Sequence, residues 1–559
     1  MKRFSCVCYF ILSGLLLLNI AYGQVKEDPS VLMQKGKEDY DHKQYLTSAK
    51  QYAKVVNLIN DRDIGSSRYM AAYNSACSWA LAGQPDSAFT VLNKIASEES
   101  FGMFYPQMLK DSDFNSLHND KRWDHICAVV KRNDELISEK RRKFSANLND
   151  TSKRINHTLL QDSSYWKKQA ARLSVNELIN KIKLFNSFPA APEKNWWTLY
   201  RLNVNDTLQV SYLVHIPKNY DAHKKTPLYV FLHGGVGRQS FSDPINDIEL
   251  EAPVLKRAFI ENAFVILPFA NKNFNWLYHQ QAFESILKEI AQVKAFYDID
   301  DNKVYIGGHS DGARGAFWFA VNQRTPFAAF FGLNYFPILL TGNTPLRNLR
   351  NEAPFEGISG RDDKGFNIKQ VTQMVNYARL LGANWQNTPV QGEHGLPYDK
   401  PDSVFFLFDR VIRQIRNPIP QKIQWETDDT RNGQCYWLTI TQLDTLQQAQ
   451  TWQEAYNPTV TSLKTGKDEV RNLNKKKSRA VLAEIRGNHI YIKTSRVKQL
   501  EINIPKQWAN QYKTMNIHIN DKPAYTVSIR PNKTTIIGEF FKTKDRTLIV
   551  VDKISITAN

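Results

Sequence analysis

The sequence predicts a mixed α/β core that is preceded by an all-α helical-repeat domain and followed by a small β-rich domain. Residues 24–132 show helical periodicity, and strands alternate with amphipathic helices over residues 195–418. Short alternating runs separated by turn residues fill residues 419–559. Because strands that alternate with helices form mostly parallel sheets covered on both faces, we expect such a sheet in the central region.

The first 23 residues have the pattern of a cleavable export signal. Lys2 and Arg3 precede an apolar run, and residues 21–23 form a small-x-small cleavage pattern. We therefore expect the mature chain to begin at Gln24. An uncleaved membrane anchor is the alternative, but the apolar run is short for a membrane span. The prediction is a periplasmic or secreted protein with no membrane span after signal cleavage.

Basic residues outnumber acidic ones, which gives a formal net charge of +18. The excess is spread along the chain, with short clusters at residues 140–143 and 475–477 and without an arginine-rich arm or an aromatic-basic motif. We interpret the clusters as solvated surface and expect no nucleic-acid partner. The cysteines after residue 23 lack metal-ligand spacing, so we expect neither a metal nor an organic cofactor.

The helical-repeat domain, residues 24–132, contains the stretches YLTSAKQYAKVV and YNSACSWALAGQPDSAFTVLNKIA. Both alternate large and small residues, as stacked helical hairpins require. They resemble tetratricopeptide repeats, although their spacing departs from the usual period of about 34 residues. The resemblance implies a groove for a protein partner, and a plain helical spacer is the alternative. Residues 133–194 are polar and helical, and we expect them to connect to the next domain.

The central region is organised around the segment KVYIGGHSDGARGAF, residues 303–317. An apolar strand leads into the G-x-S-x-G pentapeptide that carries Ser310, and a helix rich in small residues follows. A serine becomes a useful nucleophile when a strained strand-to-helix turn exposes its hydroxyl to a base. Glycine and serine also gather in ordinary turns, so the preceding strand and the small residues Ala313 and Gly315 are what favour a nucleophile.

Two backbone regions are candidates for an oxyanion hole. The strand LYVFL ends in an HGG corner, where Gly234 or Gly235 lets a backbone N–H group approach a ligand closely. The N–H group of Asp311, at the start of the helix after the serine, can face the same developing charge. We expect the Asp311 carboxylate itself to point away from this charge, toward Arg314.

The segments FLHGGVG, GHSDGARGA, NLRNEAPFEGISGRDDKGF and GEHGLP resemble the α/β-hydrolase fold. More narrowly, they are similar to bacterial esterases related to polyhydroxybutyrate depolymerases and dienelactone hydrolases. The resemblance extends from about Trp196 to Asn417, with its elements in the right order. It implies a hydrolase of carboxylic esters or related acyl compounds, and it does not specify a substrate.

The chain order of this fold is nucleophile, acid and then base. Only three of the twelve histidines follow the serine, and His489 and His518 fall in the β-rich region. His394 is therefore the candidate general base. The family pattern places the acid three residues after a glycine, which selects Asp363, with Asp362 as the alternative. Either aspartate could instead cap the turn.

These residues lead to the prediction of an exported serine hydrolase that cleaves carboxylic esters through an acyl-enzyme intermediate. A serine peptidase of the same fold is one alternative, because the triad is shared and selectivity lies in the substrate pocket. A non-catalytic scaffold or binding module that uses the helical repeats is the alternative from another class. The complete set of candidate nucleophile, base, acid and oxyanion-hole residues argues against a scaffold.

Two further features leave their roles open. Residues 419–559 are expected to form a small β-sandwich, which could bind carbohydrate, cover the site or form a dimer surface. Tryptophans of the central region could form a sugar or aryl platform, although packing in the core is the favoured interpretation. The tryptophans in question are Trp196, Trp197, Trp276, Trp318 and Trp385.

Overall fold

The computed structural model separates into two compact units, one that ends at Ser138 and one that begins at Glu139. The predicted export signal and the expected start at Gln24 lie outside the described residues. In the parts of the chain that are described, no helix is long and apolar enough to cross a membrane. The structure describes residues 29–58, 66–147, 149–150, 158–191, 194–236, 253–363, 365–395, 402–462 and 465–558.

The N-terminal unit is a stack of helices in which each of the first four packs on the next. Small residues allow this close approach: Ala49 and Ala72 are fully buried, and Gly36 lies against the ring of Tyr52. The predicted boundary after residue 132 falls within a continuous helix. The helices are α1 (Pro29–Asp41), α2 (Tyr45–Leu58), α3 (Ser66–Leu81), α4 (Pro85–Ala96), α5 (Tyr105–Met108) and α6 (Lys121–Asn147), with 3-10 turns at Glu99–Phe104 and Ser112–Leu117.

The second unit contains a nine-stranded sheet with the order β1-β2-β3-β5-β4-β6-β7-β8-β9. Strands β2 and β3 form an antiparallel hairpin, β3 also pairs antiparallel with β5, and the remaining pairs are parallel. The strands are β1 (Asn149–Asp150), β2 (Trp196–Asn203), β3 (Gln209–Ile216), β4 (Thr226–Leu232), β5 (Phe264–Pro268), β6 (Ile299–His309), β7 (Ala329–Leu333), β8 (Phe355–Gly360) and β9 (Trp385–Val390).

Helices cover both faces of this sheet, which explains why its central strands are continuously apolar. In β4, Leu228 and Val230 belong to the core on one face, while Tyr229 and Phe231 belong to the core on the other. The first core includes residues of α10, α11 and α12, and the second includes residues of α9 and α13. These helices are α9 (Pro253–Ile260), α10 (Gln280–Phe296), α11 (Asp311–Asn322), α12 (Ile368–Leu380) and α13 (Asp402–Val411).

The C-terminal region forms two antiparallel-rich sheets that share one core, with Trp425 and Ile490 from one sheet and Leu438 and Ile502 from the other. The sheets have the orders β10-β15-β16-β18-β19 and β11-β12-β17-β20, and β13 pairs with β14. The strands are β10 (Lys422–Thr427), β11 (Gln434–Cys435), β12 (Leu438–Leu443), β13 (Thr459–Thr461), β14 (Asp468–Val470), β15 (Arg479–Arg486), β16 (His489–Ser495), β17 (Val497–Pro505), β18 (Thr514–Ile519), β19 (Tyr525–Ser528) and β20 (Val550–Thr557).

Helices complete the same core. Trp166 and Ile179, from the segment expected to be a connector, are buried among the β-rich residues, as is Phe540 from near the C-terminus. The segment before the central sheet therefore packs with the C-terminal region. The helices are α7 (Ser163–Arg172), α8 (Val175–Lys183), α14 (Lys506–Gln511) and α15 (Lys533–Thr543).

A buried ionic cluster joins the β-rich region to the start of β6. The guanidinium of Arg546 pairs with Asp298 at 2.7 Å, and its backbone N–H donates to Asp301 at 2.9 Å. Lys294 from α10 pairs with Asp301 at 2.8 Å. Because this cluster anchors the N-terminal end of β6, it helps to fix the position of the residues that follow the C-terminal end of the strand.

Candidate active site

Strand β6 ends directly before Ser310, and helix α11 begins directly after it. Ser310 has φ of 56° and ψ of −118°, a conformation that is strained for a residue with a side chain. A Cβ atom on Gly308 would lie 2.4 Å from the carbonyl oxygen of Leu232, and one on Gly312 would lie 1.8 Å from it. Both glycines of the pentapeptide are thus required by the close approach of β4.

The structure brings three of the predicted residues into one hydrogen-bonded row. Nε2 of His394 lies 2.9 Å from Oγ of Ser310, and Nδ1 of His394 lies 2.8 Å from Oδ2 of Asp363. The Asp363 side chain is fully buried, whereas 40% of the His394 side chain is exposed. The row therefore runs from a carboxylate that is shielded from solvent to an imidazole that solvent can reach.

The two candidate acids have different surroundings. Oδ1 of Asp363 accepts the backbone N–H groups of Gly365 and Phe366 at 2.8 and 2.9 Å, which leaves Oδ2 for His394. Asp362 is exposed, and its carboxylate accepts a hydrogen bond from the Gln391 side chain. Of the two neighbours, Asp363 is the one that contacts the histidine.

His309, which sequence reasoning did not select, supports the histidine loop. Its Nε2 lies 2.7 Å from the carbonyl oxygen of His394. Because a carbonyl oxygen only accepts, this nitrogen carries the proton. Burial lowers the pKa of His309 to about 4, so the ring is neutral near pH 7. Its place inside the pentapeptide is the only sequence signal that marks it.

Asn334 is a second residue that sequence reasoning missed. It follows β7 with φ of 49° and is buried. Its Nδ2 donates to the carbonyl oxygens of His394 and Gly395 at 2.8 and 3.0 Å, and its Oδ1 accepts the N–H of Gly360 at 2.7 Å. One side chain thus ties the end of β8, which precedes the acid, to the loop that carries the base.

The HGG corner passes close to the serine. A Cβ on Gly234 would lie 3.0 Å from Cβ of Ser310, and Gly235 has φ of 65°, which favours glycine. Backbone N–H groups can come near a bound carbonyl only where side chains leave this much room. Gly234 therefore lies so close to Ser310 that a residue with a side chain would crowd it.

The expected contact between Asp311 and Arg314 is not formed. Oδ2 of Asp311 instead accepts the backbone N–H of Val236 at 3.2 Å, and Nε of Arg314 donates to the carbonyl oxygen of Phe336 at 3.3 Å. Val236 directly follows the HGG corner. The Asp311 carboxylate therefore forms its hydrogen bond with the end of this corner and not with the Arg314 side chain on α11. Its role is to tie α11 to the corner.

A shallow depression with an enclosed volume of about 10 Å³ is lined in part by α11. Trp276, Trp318, Leu339 and Arg314 contribute to its lining. Of the tryptophans considered for an aromatic platform, Trp276 and Trp385 are both fully buried in the core. The depression thus offers apolar walls and a single guanidinium.

One cluster with metal-ligand atom types occurs among the described residues, in the N-terminal unit: Cys77, Asp111 and Asp113. The hydroxyl groups of Tyr73 and Tyr40 donate to the two carboxylates at 2.7 and 2.6 Å. Burial raises the pKa of the Cys77 thiol, which disfavours the thiolate that a metal would need. These contacts explain the cluster as an internal hydrogen-bond network.

The strand order and the corner at Ser310 are those of an α/β-hydrolase core. No protein-family model matches the chain. The comparison with curated proteins also gives no match.

The comparison with solved structures gives matches of low similarity that cover part of the chain. A thermostable esterase is 19% identical over 39% of this chain and 63% of that esterase, with a TM-score of 0.33. FphF, a fluorophosphonate-binding serine hydrolase of Staphylococcus aureus, is 15% identical over 39% of this chain and 99% of that protein, with a TM-score of 0.31. An acylaminoacyl peptidase of Pyrococcus horikoshii is 15% identical over 41% of this chain and 43% of the peptidase, with a TM-score of 0.32. Values this low leave the function to be argued from the residues of this chain.

Proposed function

We propose that this protein is an exported serine hydrolase that cleaves carboxylic esters through an acyl-enzyme intermediate. The observation that carries the proposal is the pair of hydrogen bonds that links Asp363 through His394 to Ser310. The strained backbone of Ser310 adds support, because such strain is kept where it serves a reaction.

In the first step, Oγ of Ser310 attacks the ester carbonyl carbon while Nε2 of His394 takes the hydroxyl proton. The carbonyl oxygen becomes an oxyanion, which the N–H of Asp311 and one N–H of the HGG corner stabilise. The imidazolium then gives its proton to the leaving alkoxide, the C–O bond breaks, and an acyl-enzyme and a free alcohol remain. Asp363 holds the histidine ring in place and stabilises its positive charge.

In the second step, a water molecule replaces the alcohol. His394 takes a proton from this water as it attacks the acyl carbon, and a second oxyanion forms in the same place. The bond to Oγ breaks, the histidine returns its proton to Ser310, and a carboxylic acid leaves. The 40% exposure of the His394 side chain is consistent with this step, because water must reach the imidazole.

The test is active-site labelling of the full chain with a fluorophosphonate probe, mapped by mass spectrometry. We expect an adduct on Ser310 that Ser310→Ala abolishes, and a loss of esterase activity of at least about 10³-fold in that variant. Ser164→Ala is the matched control, because it removes an exposed hydroxyl that contacts only Asp162. An adduct on another residue, or an active Ser310→Ala variant, would contradict the proposal.

The bond that is cleaved is tested with the same protein. Neutral 4-nitrophenyl esters are compared with aminoacyl 4-nitroanilides, and we expect the esters to be the better substrates. A clear preference for the anilides would favour a peptidase.

We further propose that the protein acts in the periplasm or outside the cell and that the helical stack of α1 to α4 binds a protein partner. The export pattern of residues 1–23 and the succession of packed helices support these two points. Mass spectrometry of the protein recovered from periplasmic extract tests the first, with Gln24 as the expected N-terminus. A pull-down with the full chain, compared with a variant that carries charge substitutions on α1 to α4, tests the second.

A further inference from the structure

Arg314 lies one helical turn after the candidate nucleophile. Its backbone N–H donates to the carbonyl oxygen of Ser310 at 3.1 Å, within the first turn of α11. The side chain is half-buried and lines the depression formed by Trp276, Trp318 and Leu339. Arg314 thus lies on the helix that begins directly after the serine, and its guanidinium is the only cationic group among the described residues that line the depression.

The guanidinium is also close to the candidate base. It lies over the ring of Phe366, 5.4 Å from the ring centroid, and that ring lies 5.1 Å from the imidazole of His394. One aromatic ring thus separates the arginine from the histidine. The guanidinium carbon therefore lies no more than 10.5 Å from the centre of the imidazole.

The charge of Arg314 has no ion-pair partner within 4 Å among the described residues. Its one hydrogen bond is from Nε to the carbonyl oxygen of Phe336, so its two terminal nitrogens have no acceptor in the part of the chain that is described. Asp311 is near enough to act on it electrostatically, but its carboxylate bonds Val236. Burial lowers the pKa of Arg314, because desolvation disfavours the charge.

Three buried arginines of the same unit bind internal acceptors, although Nε of Arg324 has none among the described residues. Arg347 pairs with Glu426, Arg416 pairs with Asp545, and Arg324 donates to backbone carbonyl oxygens. The terminal nitrogens of Arg314 are not among the buried polar atoms that lack a partner, so they are accessible to solvent and to an anionic ligand. This planar pair of terminal nitrogens matches a carboxylate.

We propose that Arg314 binds a carboxylate of the substrate, so that the preferred substrates are esters that carry a second, anionic group. This inference rests on the proposed esterase function. The carbon skeleton between the ester and the carboxylate lies over the apolar side chains that surround Arg314 in this shallow depression. Arg314 is thus a specificity-determining residue, and it takes no part in the proton transfers.

The first experiment compares matched esters in the wild-type protein and in Arg314→Gln. Mono-4-nitrophenyl glutarate against 4-nitrophenyl pentanoate places the carboxylate on the acyl side, and 4-acetoxybenzoate against its methyl ester places it on the alcohol side. In one of the two pairs, we expect Arg314→Gln to lower kcat/KM for the carboxylate by about 10- to 100-fold. The neutral ester keeps its kcat/KM within about threefold, since no hydrogen bond to it is lost.

Arg379→Gln is the control for net charge, because Arg379 is an exposed arginine on α12. If the carboxylate esters lose no more than the neutral esters in Arg314→Gln, in both pairs, the inference is wrong while the esterase function stands. The same holds if the control variant loses as much as Arg314→Gln.

The second experiment does not need turnover. Hexanoate and hexanamide are titrated by calorimetry into Ser310→Ala and into the same variant with Arg314→Gln. We expect the added change to weaken hexanoate binding by about tenfold or more and to leave hexanamide binding unchanged. If no ester is cleaved by the wild-type protein, this difference still identifies the anion site, whereas equal hexanoate affinities overturn it.

Discussion

The two ends of strand β6 differ in whether their charged side chains form ion pairs and in whether the backbone is strained. At the end that begins with Ile299, Asp301 meets Lys294 and Arg546 in a buried cluster in which each of these charges has a partner. At the other end, Ser310 has a strained backbone and the nearby guanidinium of Arg314 has no ion pair in the described residues. The charges at the first end are paired internally, while the proposed catalytic end has guanidinium donors without an acceptor among the described residues.

The largest expected effect is at the Ser310 end. Asp363→Asn keeps the shape of the acid but removes the charge that orients His394, so we expect esterase kcat to fall by about 10⁴-fold. Asp362→Asn is the matched control, because Asp362 is exposed and contacts Gln391. Steady-state kinetics with a neutral 4-nitrophenyl ester measures kcat for the two variants. Similar losses in the two variants would show that the acid is not Asp363.

The next effect is at the paired end. Arg546→Met leaves Asp298 buried without its ion-pair partner and leaves Asp301 with Lys294 alone, so we expect the unfolding free energy to fall by about 3–5 kcal/mol. Arg314→Met removes no ion pair among the described residues, so its unfolding free energy should fall by less than about 1 kcal/mol. Urea unfolding followed by tryptophan fluorescence compares the two variants. Equal losses would remove the distinction between the two ends.

A smaller effect is expected at Asn334, which joins the acid and base loops. Asn334→Asp replaces its two N–H donors with an acceptor that faces the carbonyl oxygens of His394 and Gly395. Because the histidine is then misplaced, we expect kcat to fall by about 10²-fold with little change in KM. Asn387→Asp is the control, since Asn387 contacts Ser359 instead. A change confined to KM would argue against a positioning role.

The smallest effect concerns pH. The pKa of His309 is lowered to about 4 by burial, so the unfolded chain, where histidine titrates near 6.5, takes up the proton first as the pH falls. Its contribution to stability is therefore present above pH 6.5 and is lost toward pH 4. Between pH 7 and pH 5 this loss is about 2 kcal/mol.

His309→Gln keeps a donor for the His394 carbonyl oxygen without the titration. We expect its unfolding free energy to depend less on pH between 7 and 5, as measured by urea unfolding at each pH. His223→Gln is the control, because His223 is exposed. An unchanged pH dependence in His309→Gln would show that the ring is not the group that titrates.

Local patterns in the sequence were enough to predict the architecture around Ser310. The alternation of strands and helices predicted the mostly parallel sheet, and the glycines at 308 and 312 predicted a corner that the close approach of Leu232 explains. Such features depend on residues a few positions apart, which is why periodicity and turn residues reveal them. His394 was reached by chain order alone, because few histidines follow the serine.

Contacts between distant loops were decided by the tertiary structure. Asn334 bonds a residue 60 positions away and His309 one that is 85 positions away, and no local pattern records either contact. No local pattern shows that Asp363, and not the adjacent Asp362, contacts His394. Nor does one show that the Asp311 carboxylate accepts a hydrogen bond from Val236 and none from Arg314. The sequence by itself determined which elements form and in what order. The packing of loops at the carboxyl ends of the strands decided which side chains meet, because that depends on register and loop conformation across the whole sheet.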